Sequence, residues 1–141
     1  MSRFSYPIYC FNLTKKFNNR ERIVADEYNK AVNEKINCDL PKQLKIIYNH
    51  YDIKAKKKEE KNFPFRLFGH AKESMKKVGI FSVESISKSQ FSKVSIQRGV
   101  IRTNCIDSLD RTNFAQELFG YNAVLQQLLA LKVLKKADLQ L

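Results

Sequence analysis

"GVIRTNCIDSLDRTNFAQELF", Gly99 to Phe119, decides how this chain is read. A short β-prone run ends at Cys105. Five residues, Ile106 to Asp110, separate that thiol from Arg111, and the chain then takes up the spacing of a helix. In a strand–loop–helix arrangement the loop's N–H groups can turn inward as an anion nest. The helix adds its free N–H groups and the positive end of its dipole. Arg111 can grip two phosphate oxygens at once. The same positive field lowers the pKa of Cys105, and the thiolate is the nucleophile. The expected reaction is attack of Cys105 on a bound phosphate, giving a phosphocysteine that water then hydrolyses. The expected cradle for that phosphate is Ile106, Ser108, Leu109, Arg111 and Thr112.

The leaving alkoxide needs a proton donor. Asp107, two residues after the thiol, is the first choice. Asp110 is the second, with capping the helix or orienting Arg111 as its other roles. Thr112 either hydrogen-bonds the thiolate or caps the helix. The bland alternative for the whole stretch makes Cys105 a small buried hydrophobe and Arg111 a surface ion-pair partner.

Downstream, Phe114, Leu118, Tyr121, Leu125, Leu128 and Leu129 recur at helical spacing, predicting a helix from Thr112 to about Leu134. Gly120 inside it costs roughly 1 kcal/mol relative to Ala, so a close packing contact is expected there. Upstream, Tyr6 to Leu13 reads as a buried strand. Asn18 or Asn19 caps a helix from about Arg20 to Glu34, with Ile23 or Val24, Tyr28, Ala31 and Val32 as its apolar stripe. Leu44 to Ile53 reads as a second strand. The lysine-rich run Lys54 to Asn62 reads as a solvated helix face or a loop. Phe65 to Phe81 is a helix candidate, Ser82 to Ser92 a Ser-rich loop, and Val94 to Asn104 a strand punctuated by Gly99. This order is an α/β pattern with a central sheet and flanking helices. The phosphate-binding loop lies between a strand and a long helix, and that helix is expected to pack on strands to both sides of Val94–Asn104.

The chain has 141 residues, the size of one ordinary domain, and 43% of them are hydrophobic. Lys plus Arg number 26 against 14 Asp plus Glu, a formal net charge of +12, which calls for an anionic partner. Cys10, Cys38 and Cys105 form no C-x-x-C pair, and His50 and His70 complete no zinc pattern, so no metal site is expected. An odd cysteine count fits a reducing compartment. The N-terminal stretch lacks the apolar core of a signal peptide, and no run approaches the roughly 20 apolar residues of a membrane span.

"RTNCIDSLDRTN", Arg102 to Asn113, resembles the active-site motif of the Sac-domain phosphoinositide phosphatases, R-T-N-C-x-D-C-L-D-R-T-N, at eleven of twelve positions. "NFAQELFGYNAVLQQLLALKV" resembles the family's following helix. "PIYCFNLTKK" with "ERIVADEYNKAV" resembles the strand and helix upstream, and "HYDIKAKKK" a motif of the form H-x-D-[FL]-H-x-x-x-K. The likeness runs from about residue 6 to 134. It is greatest to the branch that includes polyphosphoinositide phosphatases acting on phosphatidylinositol 3,5-bisphosphate and their plant relatives. The resemblance implies a cysteine-phosphatase-like domain with Cys105 as nucleophile, Arg111 as phosphate ligand, Asp107 and Asp110 as loop aspartates, and His50, Asp52 and Lys58 as supporting residues. It implies no cofactor, phosphoinositide lipids on an anionic membrane surface as partners, scaffold or regulatory proteins besides, and a cytoplasmic place peripheral to endomembranes such as endosome, vacuole, ER or Golgi.

Two residues depart from the family pattern. Ser108 stands where a second cysteine is usual, a nearly isosteric change at a position that needs only its backbone N–H. Lys54 stands where the upstream motif has its second histidine, putting a fixed cation in place of a group that titrates near neutrality. The family's arginine- and glycine-rich upstream motif is absent. Residues 1–141 are therefore expected to be a single truncated portion, the C-terminal part of the catalytic region, marginally stable and weakly active alone. The competing reading is an inactive module that binds anionic lipid. Nucleic-acid binding would rest on charge alone. A protein tyrosine phosphatase would more typically place glycines in the loop, and "IDSLD" has none.

Overall fold

The computed structural model describes residues 6–87 and 90–135. Three parallel strands form its sheet, in the order β2 (Ile47–His50), β1 (Ile8–Asn12), β5 (Val100–Asn104). The chain leaves the central strand β1 to one side for β2 and later returns on its other side as β5. The strand order therefore reverses at β1. Such a reversal opens a crevice beyond the carboxyl ends of the strands, where α/β proteins bind ligands. The register sets Asn12 level with both His50 and Asn104, so all three strands end at the same height.

β1 is buried on both faces, as a central parallel strand requires. Tyr9, Phe11 and Leu13 point to one side, where Phe11 meets Phe119 edge to face at 5.0 Å between ring centres. That side is covered by α3 (Phe63–Val78) and α4 (Asp110–Ala130), which contribute Leu67, Ala71, Val78 and Ala115. On the other side lies α1 (Asn19–Lys30). The Tyr48 hydroxyl donates to the Ala25 carbonyl, and Arg102 lies over the Tyr28 ring. Asn18 caps α1 by accepting from the Glu21 N–H at 3.1 Å, and the helix runs on into a π-helical turn, Ala31–Ile36.

Several elements depart from the sequence reading. The apolar stripe expected along this helix holds at its end, where Val32 is buried and Tyr28 and Ala31 are half-buried, and fails at its start: Ile23 and Val24 are exposed, and Glu21 and Ala25 are buried instead. Glu21 takes an inward place because it has a buried partner, described below. The second strand is shorter than expected, since Lys42–Leu44 form a 3-10 turn and Asp52 caps a new helix, α2 (Ile53–Glu59), which takes up most of the lysine-rich run. The Ser-rich segment read as a loop is instead an antiparallel hairpin, β3 (Ser82–Ser87) and β4 (Gln90–Ser95), apart from residues 88 and 89, which lie outside the described residues. Serine content hid a run interleaved with β-branched and aromatic residues. The strand expected over Val94–Asn104 is thereby split between β4 and β5. Strand β5 pairs with β1 alone, so among the described residues it is a sheet edge rather than a strand flanked on both sides.

The glycine that packing demands is Gly99, not Gly120. A Cβ on Gly99 would fall onto the Pro7 carbonyl, where the chain enters β5 against β1, whereas a Cβ on Gly120 would meet nothing within 4 Å. Gly120→Ala is expected to stabilise the fold by up to about 1 kcal/mol through helix propensity. Gly99→Ala is expected to destabilise it by more than that, because backbone must move. Urea midpoints of the two variants check the contrast; similar shifts of the same sign would show that the β1–β5 approach is not tight.

Candidate active site

Cys105 follows β5 directly, at the carboxyl end of the sheet, and is buried. Its N–H donates to Thr112 Oγ1 at 3.0 Å, and the Thr112 hydroxyl donates back to the Cys105 Sγ at 3.2 Å. The thiol in turn donates to Asp107 Oδ1 at 2.9 Å. The same carboxylate oxygen accepts the Leu109 N–H at 3.1 Å. The loop therefore closes on itself through Asp107. Its carboxyl is held below the usual carboxylate range, first by the thiol and then by the Leu109 N–H. Ser108 turns the loop with φ +54°, in the left-handed region uncommon for residues other than glycine.

Arg111 lies in the first turn of α4, and its side chain is only 11% exposed. Nη1 donates to Glu21 Oε2 at 2.7 Å and to the Leu13 carbonyl at 3.1 Å; Nη2 reaches Glu21 Oε1 at 3.5 Å. Glu21 also accepts the Lys15 N–H at 2.8 Å and pairs with Lys15 Nζ at 3.2 Å. Burial alone would raise the pKa of Glu21, but the bonds from Arg111 and Lys15 outweigh it and hold the carboxyl at about 2. Burial likewise pulls Arg111 down, and Glu21 more than restores it. Ninety positions of sequence separate Glu21 from Arg111. The one sequence trace of this contact is an acidic residue on the inward line of an otherwise amphipathic helix.

The structure brings Cys105, Asp107, Leu109 and Thr112 together and settles the alternatives for two residues. Thr112 bonds the thiol. Leu109 stands at the cap position of α4, with no side chain capping that end. Asp110 neither caps the helix nor holds Arg111: it is exposed in the first turn, and the residues that hold Arg111 are Glu21 and Leu13. The side chains of Ile106 and Leu109 are exposed, which leaves their backbone as what the loop offers. His50 and Asp52 share the carboxyl edge of the sheet but make no bond to the cysteine loop. His50 Nε2 donates to the Thr14 carbonyl at 2.9 Å. Asp52, buried, accepts the Lys16 N–H at 2.7 Å and caps α2 through the Ala55 N–H at 3.0 Å. Lys58 sits exposed on α2, next to the turn at 15–18. Among the described residues no cluster of His, Cys, Asp or Glu is placed to hold a metal ion, and no helix is long and apolar enough to cross a membrane.

The depressed pKa of Glu21 links stability to pH. Its contribution is complete above the ordinary carboxyl value of 4.5 and is lost as pH falls through about 2. Glu21→Gln should leave Arg111 buried without its counter-charge and destabilise the fold at neutral pH by on the order of 3 kcal/mol. It should also flatten the acid limb between those two values. Urea unfolding across that range checks it; an unchanged acid limb in Glu21→Gln would assign the linkage to another carboxyl.

No protein-family model matches the chain. A polyphosphoinositide phosphatase of Schizosaccharomyces pombe is 34% identical over 138 residues, which cover 96% of this chain and 16% of that protein. The phosphoinositide phosphatases SAC3 and SAC4 of Arabidopsis thaliana are 28% and 27% identical over 91% and 94% of this chain, and 22% of each of them is covered. The chain thus spans about a fifth of the length of the curated relatives it matches. Over nearly all of its own length, the chain is a homologue of the Sac-domain phosphoinositide phosphatases.

Proposed function

We propose that this chain carries the catalytic segment of a phosphoinositide phosphatase, removing a phosphate from the inositol ring through a phosphocysteine on Cys105. Phosphatidylinositol 3,5-bisphosphate is the first substrate to try, on the strength of the polyphosphoinositide phosphatase match. The observation that carries the reading is the Cys105 thiol, hydrogen-bonded to the Asp107 carboxylate at 2.9 Å with the buried Arg111 in the first turn of the following helix. A bound phosphate takes the Leu109 N–H away from Asp107 and sets negative charge beside it, which lifts the depressed carboxyl so that the thiol proton can pass to it, leaving the thiolate nucleophile and a protonated acid. Thr112 steadies the thiolate through its hydroxyl.

The rest of the chemistry follows from the donors left free. Glu21 and Leu13 occupy Nη1 of Arg111 and the end of its fork. The side-on edge, Nε with the remaining N–H of Nη2, makes no bond among the described residues and has the geometry to bind two phosphate oxygens. An entering phosphate takes the Leu109 N–H from Asp107. The thiolate attacks phosphorus and forms the S–P bond. The P–O bond to the inositol breaks, and Asp107 delivers its proton to the leaving oxygen. Water then attacks phosphorus with Asp107 as base. The S–P bond breaks, and inorganic phosphate leaves with the thiolate restored. Arg111 and the loop N–H groups supply the positive charge at phosphorus, so turnover is proposed to need no metal. Glu21 is the positioning residue that selects which edge of Arg111 faces the substrate.

A second reading, an inactive module that binds anionic lipid, is favoured by the self-closed loop and by Lys54 in place of the motif histidine. Assays on a short-chain phosphoinositide separate the two. The expected outcome is phosphate release that survives a chelator, is abolished in Cys105→Ser with binding retained, and loses both turnover and binding in Arg111→Ala. Binding by the unmodified chain without any release selects the inactive module. Release lost in chelator and restored by magnesium rejects the mechanism.

The acid is tested separately. Asp107→Asn should slow the inositol lipid by about 100-fold or more and an activated aryl phosphate far less, since that leaving group needs little protonation. Equal losses on the two substrates would remove the acid role from Asp107.

A further inference from the structure

Four residues beyond Leu13, whose carbonyl holds Arg111, the chain turns outward and presents Phe17 at 84% exposure. This turn is anchored. The Lys15 N–H is held by Glu21, and the Lys16 N–H by the buried carboxylate of Asp52. Between the turn and α2 lies an open cleft of about 540 Å³, lined by Lys15, Phe17, Asn18, Lys54 and Lys58 together with Asp52 and Glu59.

The two acidic groups do not neutralise the lysines of this cleft. Asp52 is turned to backbone N–H groups of Lys16 and Ala55, and Glu59 is paired with Lys56 at 3.2 Å. Lys15 of the cleft is paired with Glu21, whereas Lys54 and Lys58, with Lys16 in the adjoining turn, are exposed and make no ion pair among the described residues. The result is one bare aromatic ring among free ammonium groups. A single-stranded nucleic acid would call for successive aromatic platforms, and a folded acidic protein for a buried seat for the ring. A ring standing free with cations at its base suits an interface that is apolar a few ångströms below a charged surface.

We propose that this patch docks on an anionic phospholipid bilayer, with Phe17 entering the headgroup region and Lys16, Lys54 and Lys58 facing lipid phosphates. The distances agree. Four residues of chain reach at most about 14 Å, so Phe17 lies within that span of the Leu13 carbonyl that Arg111 touches. A headgroup region is roughly 5–8 Å deep on each side of the bilayer. Docking at Phe17 would therefore keep the carboxyl end of the sheet, where the cysteine loop lies, close to the surface. The orientation argument rests on the phosphatase reading; the docking itself does not.

The test is sedimentation of the full chain with vesicles containing no phosphoinositide, of phosphatidylcholine either alone or mixed with phosphatidylserine. Hydrolysis of a soluble short-chain phosphoinositide is measured in parallel. Binding is expected on the mixed vesicles and not on phosphatidylcholine alone. Phe17→Ser should weaken it about tenfold with hydrolysis of the soluble substrate unchanged. Lys54→Glu and Lys16→Glu should each weaken it roughly five- to tenfold, the worth of reversing one cation near an anionic surface. Matching urea midpoints would exclude misfolding, since all three side chains are exposed. Undiminished vesicle binding by Phe17→Ser, or binding only to a soluble polyanion such as duplex DNA, overturns the proposal. Absence of hydrolysis with vesicle binding intact would defeat the phosphatase reading and leave the docking surface standing.

Discussion

The ion pair between Arg111 and Glu21 joins the first turn of α4 to the first turn of α1 across the carboxyl end of the sheet. Both side chains are nearly buried, which is costly for either charge alone and tolerable for a pair whose remaining atoms are bonded. Here they are. The Leu13 carbonyl takes one guanidinium proton, and Lys15 supplies two donors to the carboxylate. The pair also fixes where the chain goes next. Since Lys15 is held by Glu21 and Lys16 by Asp52, the turn after β1 is pinned to both α1 and α2. The cysteine loop, the arginine and the exposed turn at Phe17 are therefore parts of one rigid edge.

On that edge the cysteine loop is held by its own side chains. Thr112 and Asp107 bracket the Cys105 sulfur, one donating and one accepting, and Asp107 also satisfies the Leu109 N–H. A loop built this way needs no ligand to keep its shape. Ser108 takes the left-handed conformation that such a tight path requires, and the neighbouring hydrogen bonds offset that strain. The position is one where the family pattern has cysteine. A serine with φ +54° is compatible with the view that the backbone, rather than the side chain, is what this place contributes.

The sheet has a different balance. β1 is buried on both faces and supplies Tyr9 and Phe11 to the core, while among the described residues β5 pairs on one side only. Cys105 thus follows a strand fastened chiefly through β1, by a five-residue parallel ladder and the close passage of Gly99 against Pro7. Ordering the site depends on that single seam together with the grip of Glu21 on Arg111.

What the sequence determined by itself was local. The strand, loop and helix around Cys105 were legible from adjacent residues: a β-prone run, a five-residue spacing and a long apolar repeat. The α/β character was legible too, because strand and helix periods alternate along the chain. Thr112 was readable as one candidate partner of the thiol, with helix capping as its alternative, whereas Asp107, expected as the acid for the leaving group, was not foreseen as the acceptor of the thiol's hydrogen bond. Contacts between distant segments were not readable. Glu21 meets Arg111 across 90 positions, and on α1 a hydrophobic pattern predicted Ile23 or Val24 inside where the fold buries a carboxylate. Gly99 and Gly120 look alike as letters, and only the approach of β1 tells which one lacks room for a Cβ. The Ser-rich hairpin was misread because composition reports polarity, whereas strand pairing depends on a partner's backbone. Adjacent residues can dictate torsions and spacing, but which charge becomes buried, and beside what, is decided when separate elements share one interior.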